Sequence, residues 1–539
     1  MRLPLIAPAA LIAATLNAQS PAWIETIVST GWTETYAQAI DAQGNVYVCG
    51  YYDQGPMQFG GATLPTGVNQ DAFVAKVDPT GDVVWMKRMG GTGYDRAYDV
   101  GVDATGNVYV TGFVDNESAA QFGSLSFTPT AEQEAFLTKL SPTGTFLWVK
   151  HTEGTSSTRA TGIGLDVSAA GDVILCGNTD YGFTLGGTFY NSFAGDDMFL
   201  ASYNTSGTLL WCQLIEGDVN DEEAVDVAFD GSGGFYFTGR ARDEFDLGGL
   251  VVTPAGNFSP FVARLDAAGV PQWAFTLGSS NFQGDAITDL EVDSDTNVVI
   301  CGYVYDGGVI NGDTLQTNAE HQAFLASISP TGSANWSSYL AESAGLNGSR
   351  ALGLGLAPDN TIFVCGDYYG DTVTVGGAQH ANAGNTDLLI WNYSDAGALQ
   401  WHDATGGTYA EAGKDMIVSS YYAIYLTGYT YSIDLELGTI PVANPNSIRQ
   451  GFLAKYDPGV IGLPENERAT DLLLWPNPTT DHLQMAWEPG DRYILRDLNG
   501  RTLTETIAPN IAVGHLAPGM YPVEKRGRKG SQMGRFLKL

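Results

Sequence analysis

Tryptophan returns along this chain at Trp23, Trp85, Trp148, Trp211, Trp273, Trp336 and Trp401, at intervals of 62, 63, 63, 62, 63 and 65 residues. So even a spacing describes one structural unit copied in series, and it restricts the fold more than any local motif can. The unit reads as four strands. An alternating first strand ends in an acidic turn, as in Ala97-Tyr-Asp-Val-Gly-Val-Asp103. A Gly-Asn turn at Gly106-Asn107 leads into a second strand rich in β-branched and aromatic residues, Val108-Tyr-Val-Thr-Gly112. A longer variable loop follows, usually closing on glycine. A third strand such as Ala135-Phe-Leu-Thr-Lys-Leu140 then reverses through Pro142-Thr-Gly144 into the fourth strand, which carries the tryptophan. Period-2 alternation and frequent turn signals predict an antiparallel meander, and no segment has helical periodicity.

The counts of these strands do not match end to end. The second-strand signature ends seven times, at Gly50, Gly112, Gly177, Gly239, Gly302, Gly366 and Gly428. The last third strand, Gly451-Phe-Leu-Ala-Lys-Tyr456, has no tryptophan strand after it, while Trp23 has no strand before it. The Trp23 strand therefore fits as the missing fourth strand of the seventh unit. The fold class expected is all-β: a seven-bladed β-propeller of four-stranded antiparallel blades, closed by the N-terminal strand, over residues 19–459. The motifs G-N-V-Y-V-C-G at Gly44, G-N-V-Y-V-T-G at Gly106 and D-A-F-V-A-K-V-D-P-T-G at Asp71 resemble the seven-bladed propeller repeats of bacterial exported proteins. That resemblance implies the fold and says little about function.

Residues 1–18 read as a secretion signal: Arg2, then an uncharged apolar run from Leu3 to Leu16, then a cleavage position after Ala18. Residues 460–470 read as a linker, and 471–539 as a small β-domain. Its segments Pro476-Asn-Pro478, Asp497-Leu-Asn-Gly500-Arg501 and Pro518-Gly519-Met-Tyr521 resemble the carboxy-terminal sorting domain of type IX secretion cargo. This resemblance implies an immunoglobulin-like β-sandwich that engages the export machinery of a Gram-negative cell, with the protein released or held at the cell surface. Pro522 departs from the pattern, because a proline there should cut short the strand after Tyr521.

Charge divides the chain in the same place. Between Trp23 and Gly459 there are 14 Lys and Arg against 51 Asp and Glu, a net of −37, and from Leu472 onward 9 against 6, a net of +3. A whole-chain charge of −35 argues against nucleic acid as a partner. Four of the five cysteines, Cys49, Cys176, Cys301 and Cys365, occupy one repeat position where other copies carry Thr111, Thr238 and Thr427. Such alternation points to small buried packing residues rather than disulfides.

Catalytic motifs are hard to find: the six histidines are scattered, and there is no nucleophile elbow, phosphate loop or CxxC. No catalytic residue is assigned, and no cofactor. Asp293, Asp295 and Asn297 resemble the opening of a calcium loop but lack its glycine and its terminal glutamate, so an ordinary turn is the expectation and calcium the alternative. Aligning the repeats places Glu34, Arg96, Arg159, Glu223, Asp285, Arg350 and Glu411 at or near one position before the first strand of each unit, with a one-residue ambiguity at Asp285 and Glu411. There they would ring the mouth of a central channel as salt bridges between units or as a polar ligand site. Tyr51, Tyr52, Tyr181, Tyr303, Tyr305, Tyr368, Tyr369, Tyr429 and Tyr431 follow the second strands and are the candidates for a binding face on the loops. The reading is a monomeric, exported, non-enzymatic binding or adhesion scaffold for an extracellular protein or glycan. The alternatives are a polysaccharide-active enzyme with carboxylates at the channel mouth, and a structural component of an extracellular matrix.

Overall fold

The computed structural model describes residues 21–457, apart from 193–194, 218–221, 255–257, 278–283, 306–308, 311–312, 315–317, 320, 343, 346–347 and 421. It also describes the stretches 474–475, 482–485, 492–496, 502–508, 510–514, 516, 519–527 and 530–538. The described residues form strands and turns with no helix, so none is long and apolar enough to cross a membrane. Two compact units result, one over Ala18–Ile461 and one that includes Gly462–Leu539.

In the larger unit the strands pair into antiparallel groups of four, and the architecture is propeller-like. Group I comprises Thr33–Ile40, Val46–Phe59, Ala62–Val77 and Val83–Gly90, paired in that order. Groups II to VI repeat this order, with first strands Arg96–Val102, Arg159–Val167, Glu222–Phe229, Ala286–Val292 and Gly348–Leu356. Group VII has three consecutive strands, Glu411–Val418, Ile424–Thr430 and Gln450–Tyr456, and its fourth is Trp23–Val28 from the start of the chain. The register runs from Trp23 opposite Lys455 to Ile27 opposite Gly451.

A bulge interrupts every first strand at the same place, between Thr35 and Ala37, Ala97 and Asp99, Gly162 and Gly164, Ala224 and Asp226, Ile287 and Asp289, Ala351 and Gly353, and Gly413 and Asp415. The glycine ending each second-strand signature faces that bulge. A Cβ on Gly112 would stand 1.9 Å from the Arg96 carbonyl oxygen, and one on Gly366 would stand 1.9 Å from that of Arg350. Only a residue without a side chain fits so close to a neighbouring backbone, which is the physical origin of the repeated glycine.

Neighbouring groups are fastened in three ways. In groups I to V and VII the tryptophan of the fourth strand reaches the turn of the following group. Trp85 lies on Gly144 and donates to Pro142 O at 3.1 Å, Trp273 donates to Pro330 O at 2.9 Å, and Trp23 lies on Gly81 and donates to Pro79 O at 3.3 Å. Apart from Trp401, which is buried, these rings are half-buried, because one edge remains open at the junction. The variable loop is itself a small hairpin in most groups, such as Ala120–Phe122 with Leu125–Phe127, turning on a glycine of positive φ. The end of the preceding fourth strand pairs with it: Met89 with Phe122, Glu153 with Thr184, Gly217 with Phe245, and Ile27 with Phe59. The third fastening lies in the first strands and lines the site described below.

The Cys49, Cys176, Cys301 and Cys365 thiols are buried in the group cores and unoxidised, as their alternation with threonine predicts. In the smaller unit, Leu474–Trp475, His482–Met485 and Asn510–Ala512 form one antiparallel sheet. Thr502–Thr506, Arg492–Arg496, Gly519–Gly527 and Gly530–Lys538 form another, and Leu483, Tyr493, Leu495, Ile511, Val513 and Val523 share a core. Pro522 does not end its strand. It pairs with Arg535 on one side only, because the ladder to Arg492–Arg496 begins one residue later at Val523. An amide N–H is therefore not needed there.

Candidate functional site

The first strands enclose a cavity of about 680 Å³ lined by residues of all seven groups. The residue beyond the bulge is an aspartate that lines this cavity in four groups: Asp99, Asp226, Asp289 and Asp415. Each carboxylate accepts a backbone N–H from another group's first strand. Asp99 Oδ2 accepts Leu165 N at 2.6 Å, Asp289 Oδ2 accepts Leu354 N at 2.6 Å, and Asp415 Oδ2 accepts Gln38 N at 2.7 Å. Asp226 Oδ2 accepts the longer bond from Leu290 N at 3.3 Å. Asp166, two residues further along its strand, accepts Phe229 N at 2.7 Å. Gln38 returns the contact by donating Nε2 to the carbonyls of Asp415 and Tyr425, both at 3.0 Å.

Enclosure within the first strands removes most of the bulk water that would stabilise these charges. Burial raises Asp226 and Asp415 to about 7 and Glu291 to about 8, and it lifts Asp99, Asp166 and Asp289 as well. Neighbouring carboxylates add to the rise: Asp226 acts on both Asp99 and Asp289. The hydrogen bonds to backbone N–H groups oppose it. Each side chain keeps a minor accessible fraction, and that fraction opens onto the cavity, so water held there moderates the shift.

The rim of this cavity carries cations and tyrosines. Tyr36 and Tyr98 line it with their ring centroids 4.8 Å apart, and Tyr51 stands 5.9 Å from Tyr36. The Arg96 guanidinium lies 4.7 Å above the Tyr51 ring, near Tyr98, and donates to Gln70 Oε1 at 2.7 Å. Glu34 is buried and meets both Arg449, at 2.6 Å, and Lys414, at 3.5 Å. Arg449 also lies 3.9 Å above the Tyr429 ring.

The seven residues expected at the channel mouth do not share one position. Glu34, Arg96, Glu223 and Arg350 are in register, each beside the bulge and opposite Tyr51, Phe113, Arg240 and Asp367 respectively. In the other groups that position holds Thr161, Ala286 and Ala412. Arg159 stands two residues earlier and pairs with Asp180 at 2.7 Å on the exposed edge. Asp285 and Glu411 stand one residue earlier, and strand alternation turns them to the opposite face. Both are buried, Asp285 accepting Tyr305 N and Glu411 accepting Gly407 N at 2.8 Å. Of the seven, Glu223 touches the cavity directly.

The tyrosines divide similarly. Tyr181 is exposed, and Tyr303, Tyr305, Tyr369, Tyr429 and Tyr431 are half-buried, Tyr303 at the cavity. Tyr51, Tyr52 and Tyr368 are buried and present no loop face. Tyr52 donates to Pro65 O at 3.0 Å, and Tyr368 to Ala381 O at 3.0 Å. The hairpin that replaces the expected open loop covers Tyr52 and Tyr368, while Tyr51 is enclosed by Tyr36, Arg96 and Glu34.

Asp293 directs both oxygens into its own turn, accepting Asp295 N, Asn297 N and Asn297 Nδ2 at 2.8–2.9 Å. Asp103 does the same for Thr105 and Asn107. Among the described residues, no group of three or more potential ligands is placed to hold a metal ion. Pro476, Asn477, Pro478, Asp497, Gly500 and Arg501 lie outside the described residues, as do residues 1–18. Gly519 opens its strand, and Tyr521 packs half-buried against the small core.

Sequence reasoning missed the inner aspartates and Tyr36 and Tyr98. The signal was available: aspartate recurs three residues after the Glu34/Arg96 position in four copies. A bulge cannot be read from period-2 alternation, so the face these residues occupy was not legible.

No family model matches the chain. It is 22% identical over 371 residues to the regulatory protein FlaEY of Caulobacter vibrioides, covering 65% of this chain and 37% of that protein. It is 22% identical over 472 residues to an uncharacterized WD repeat-containing protein, L264, of Acanthamoeba polyphaga mimivirus, covering 70% and 33%. The chain thus spans about a third of the length of each of these relatives. Among solved structures, puromycin hydrolase superposes with a TM-score of 0.35 at 10% identity, over 74% of this chain and 50% of that one. Prolyl oligopeptidase B of Galerina marginata superposes with a TM-score of 0.34 at 10% identity, over 92% and 56%. Overlaps this loose carry no chemistry across.

Proposed function

We propose that the larger unit is a seven-bladed β-propeller closed by the Trp23–Val28 strand, and that it serves outside the cell as a binding scaffold whose ligand seats at the rim of the central cavity. The observation that carries this reading is the rim itself. Tyrosine rings and cations gather there around an open cavity, on a chain whose net charge is strongly acidic. A rigid repeat array presenting variable residues at one mouth suits recognition. Closure is supported by three contacts that cross from group VII to group I: the Trp23 ring on Gly81, the pairing of Ile27 with Phe59, and Asp415 with Gln38 N. Residues 1–18 act as the export signal in this reading, and 471–539 as a type IX sorting domain, supported by their motifs.

The test is a glycan and surface-protein binding screen on the full chain, beside the variant Arg96→Glu, Arg159→Glu, Arg350→Glu. Loss of the captured partner by a folded variant supports the reading, and unchanged capture sinks it. An enzymatic reading draws on the neighbouring carboxyl groups Asp226 and Asp289, both at the cavity, where the charge of Asp226 helps to raise Asp289. Against it, Asp226 and Asp289 each hold a neighbouring backbone N–H in place. Hydrolysis of a captured glycan, abolished by Asp289→Asn, would favour the enzyme.

A further inference from the structure

The charges around the rim are unevenly compensated. Arg240 and Arg350 each pair with one carboxylate, from Glu223 and Asp367 respectively, as does Arg159 with Asp180 on the exposed edge. On the arc built by groups VII, I and II the pairing fails: Arg449 and Lys414 share the single carboxylate of Glu34, and Arg96 is left without one. Arg96 makes no ion pair among the described residues. The groups around it, Gln70, Tyr51 and Tyr98, are all neutral. A half-buried guanidinium with neutral partners is a ready donor for an incoming carboxylate, and its planar fork suits that group.

Below this arc the chemistry changes. Tyr36 and Tyr98 offer ring faces and hydroxyls, and carboxyl groups outnumber the cations of the cavity lining, Arg240 and Lys414, which pair with Glu223 and Glu34. Gln38 also lines the cavity, is 6% exposed, and its Oε1 has no hydrogen-bond partner among the described residues. Such a lining accepts and donates hydrogen bonds to hydroxyl groups but repels a second negative charge. An acidic peptide, with charges in succession, would set carboxylates against carboxylates. A volume of about 680 Å³ suits one or two sugar rings.

We infer that the rim binds a sugar acid, a uronic-acid unit of an extracellular polysaccharide. Its carboxylate sits on Arg96 beside Lys414, its ring lies against Tyr36 and Tyr98, and its hydroxyls face the carboxyl-lined cavity. This inference rests on the rim-binding reading above and names the ligand class for it.

Calorimetric titration of the full chain with digalacturonic acid, neutral galactobiose and a glutamate-rich peptide tests it. Digalacturonic acid should bind at least about tenfold tighter than galactobiose, as a charge-assisted hydrogen bond to a half-buried arginine implies. Arg96→Gln should remove that preference with little change in Tm, and Lys414→Gln should weaken it if Arg96→Gln fails to fold. Equal binding of the neutral disaccharide, preference for the peptide, or retention of the preference in both variants overturns the inference. So does failure of digalacturonic acid to bind. Binding of galactobiose or peptide that the triple arginine reversal abolishes would leave the rim-binding reading standing while removing the sugar acid.

Discussion

Stability should fall as pH rises from about 4.5 to 8.5, driven by the carboxylates of the central cavity together with Asp95 and Asp197 outside it, which burial raises to about 7 and about 6. In the unfolded chain these groups ionise near pH 4. In the folded chain burial holds the protons of Asp226 and Asp415 to about 7 and of Glu291 to about 8, against the backbone hydrogen bonds they accept and, at Glu291, with help from neighbouring carboxylates. Between those limits the folded state binds more protons than the unfolded state. Their contribution is therefore fully present below pH 4 and lost as pH climbs through the folded values. A rise of about three pH units corresponds to about 4 kcal/mol per group. Water in the cavity screens the groups, and halving that figure gives about 2 kcal/mol each. The groups titrate together, so their sum is sub-additive, about 3–5 kcal/mol in all. For a unit of this length that is a drop in Tm of about 4 °C. His402 works the other way: burial, then neighbouring His380, holds it to about 4, so stability is lost as pH falls from 6.5 towards 4. One imidazole offsets part of the change. Calorimetric melts of the full chain from pH 4.5 to 8.5 measure it, with Asp226→Asn flattening the slope. A Tm that is level or rises across that range would refute the account of the cavity.

Two further perturbations probe the junctions and cores. Trp85→Ala removes a half-buried ring lying on Gly144 and the bond to Pro142 O, and should cost about 2–3 kcal/mol by denaturant titration, below the value for a fully buried tryptophan; Trp85→Phe, which keeps an aromatic ring and loses the bond, should cost about 1 kcal/mol. Thiol labelling of the folded protein at pH 8 should be slow at all five cysteines, with the half-buried Cys212 reacting first although burial pushes its thiol up to about 12.

The repeat, the strand order and the offset of the Trp23 strand were legible because each depends on period and turn chemistry, which lie in neighbouring residues. Cys and Thr alternating at one position identified buried packing sites for the same reason. The site was legible only in part. Glu34, Arg96, Glu223 and Arg350 share a register position, but Asp285 and Glu411 differ from it by one residue, and one residue in a strand exchanges buried for inward-facing. Local alignment tolerates that slip where the backbone does not. The burial of Tyr52 and Tyr368 depends on a hairpin folding over them, a contact between segments more than ten residues apart. The aspartates of the cavity acquire their partners from a neighbouring group some 63 to 66 residues along the chain, or, for Asp415, from its first strand 377 residues earlier. No spacing rule within one repeat reveals such a bond.

Ring closure by the first strand is the central claim, and amide hydrogen exchange of Trp23–Val28 tests it most directly. The account predicts that this segment exchanges as slowly as other fourth strands, such as Pro271–Thr276, and that removing residues 21–28 speeds exchange in Gln450–Tyr456. Fast exchange of Trp23–Val28 in the full chain, or unchanged protection of Gln450–Tyr456 after its removal, would contradict it.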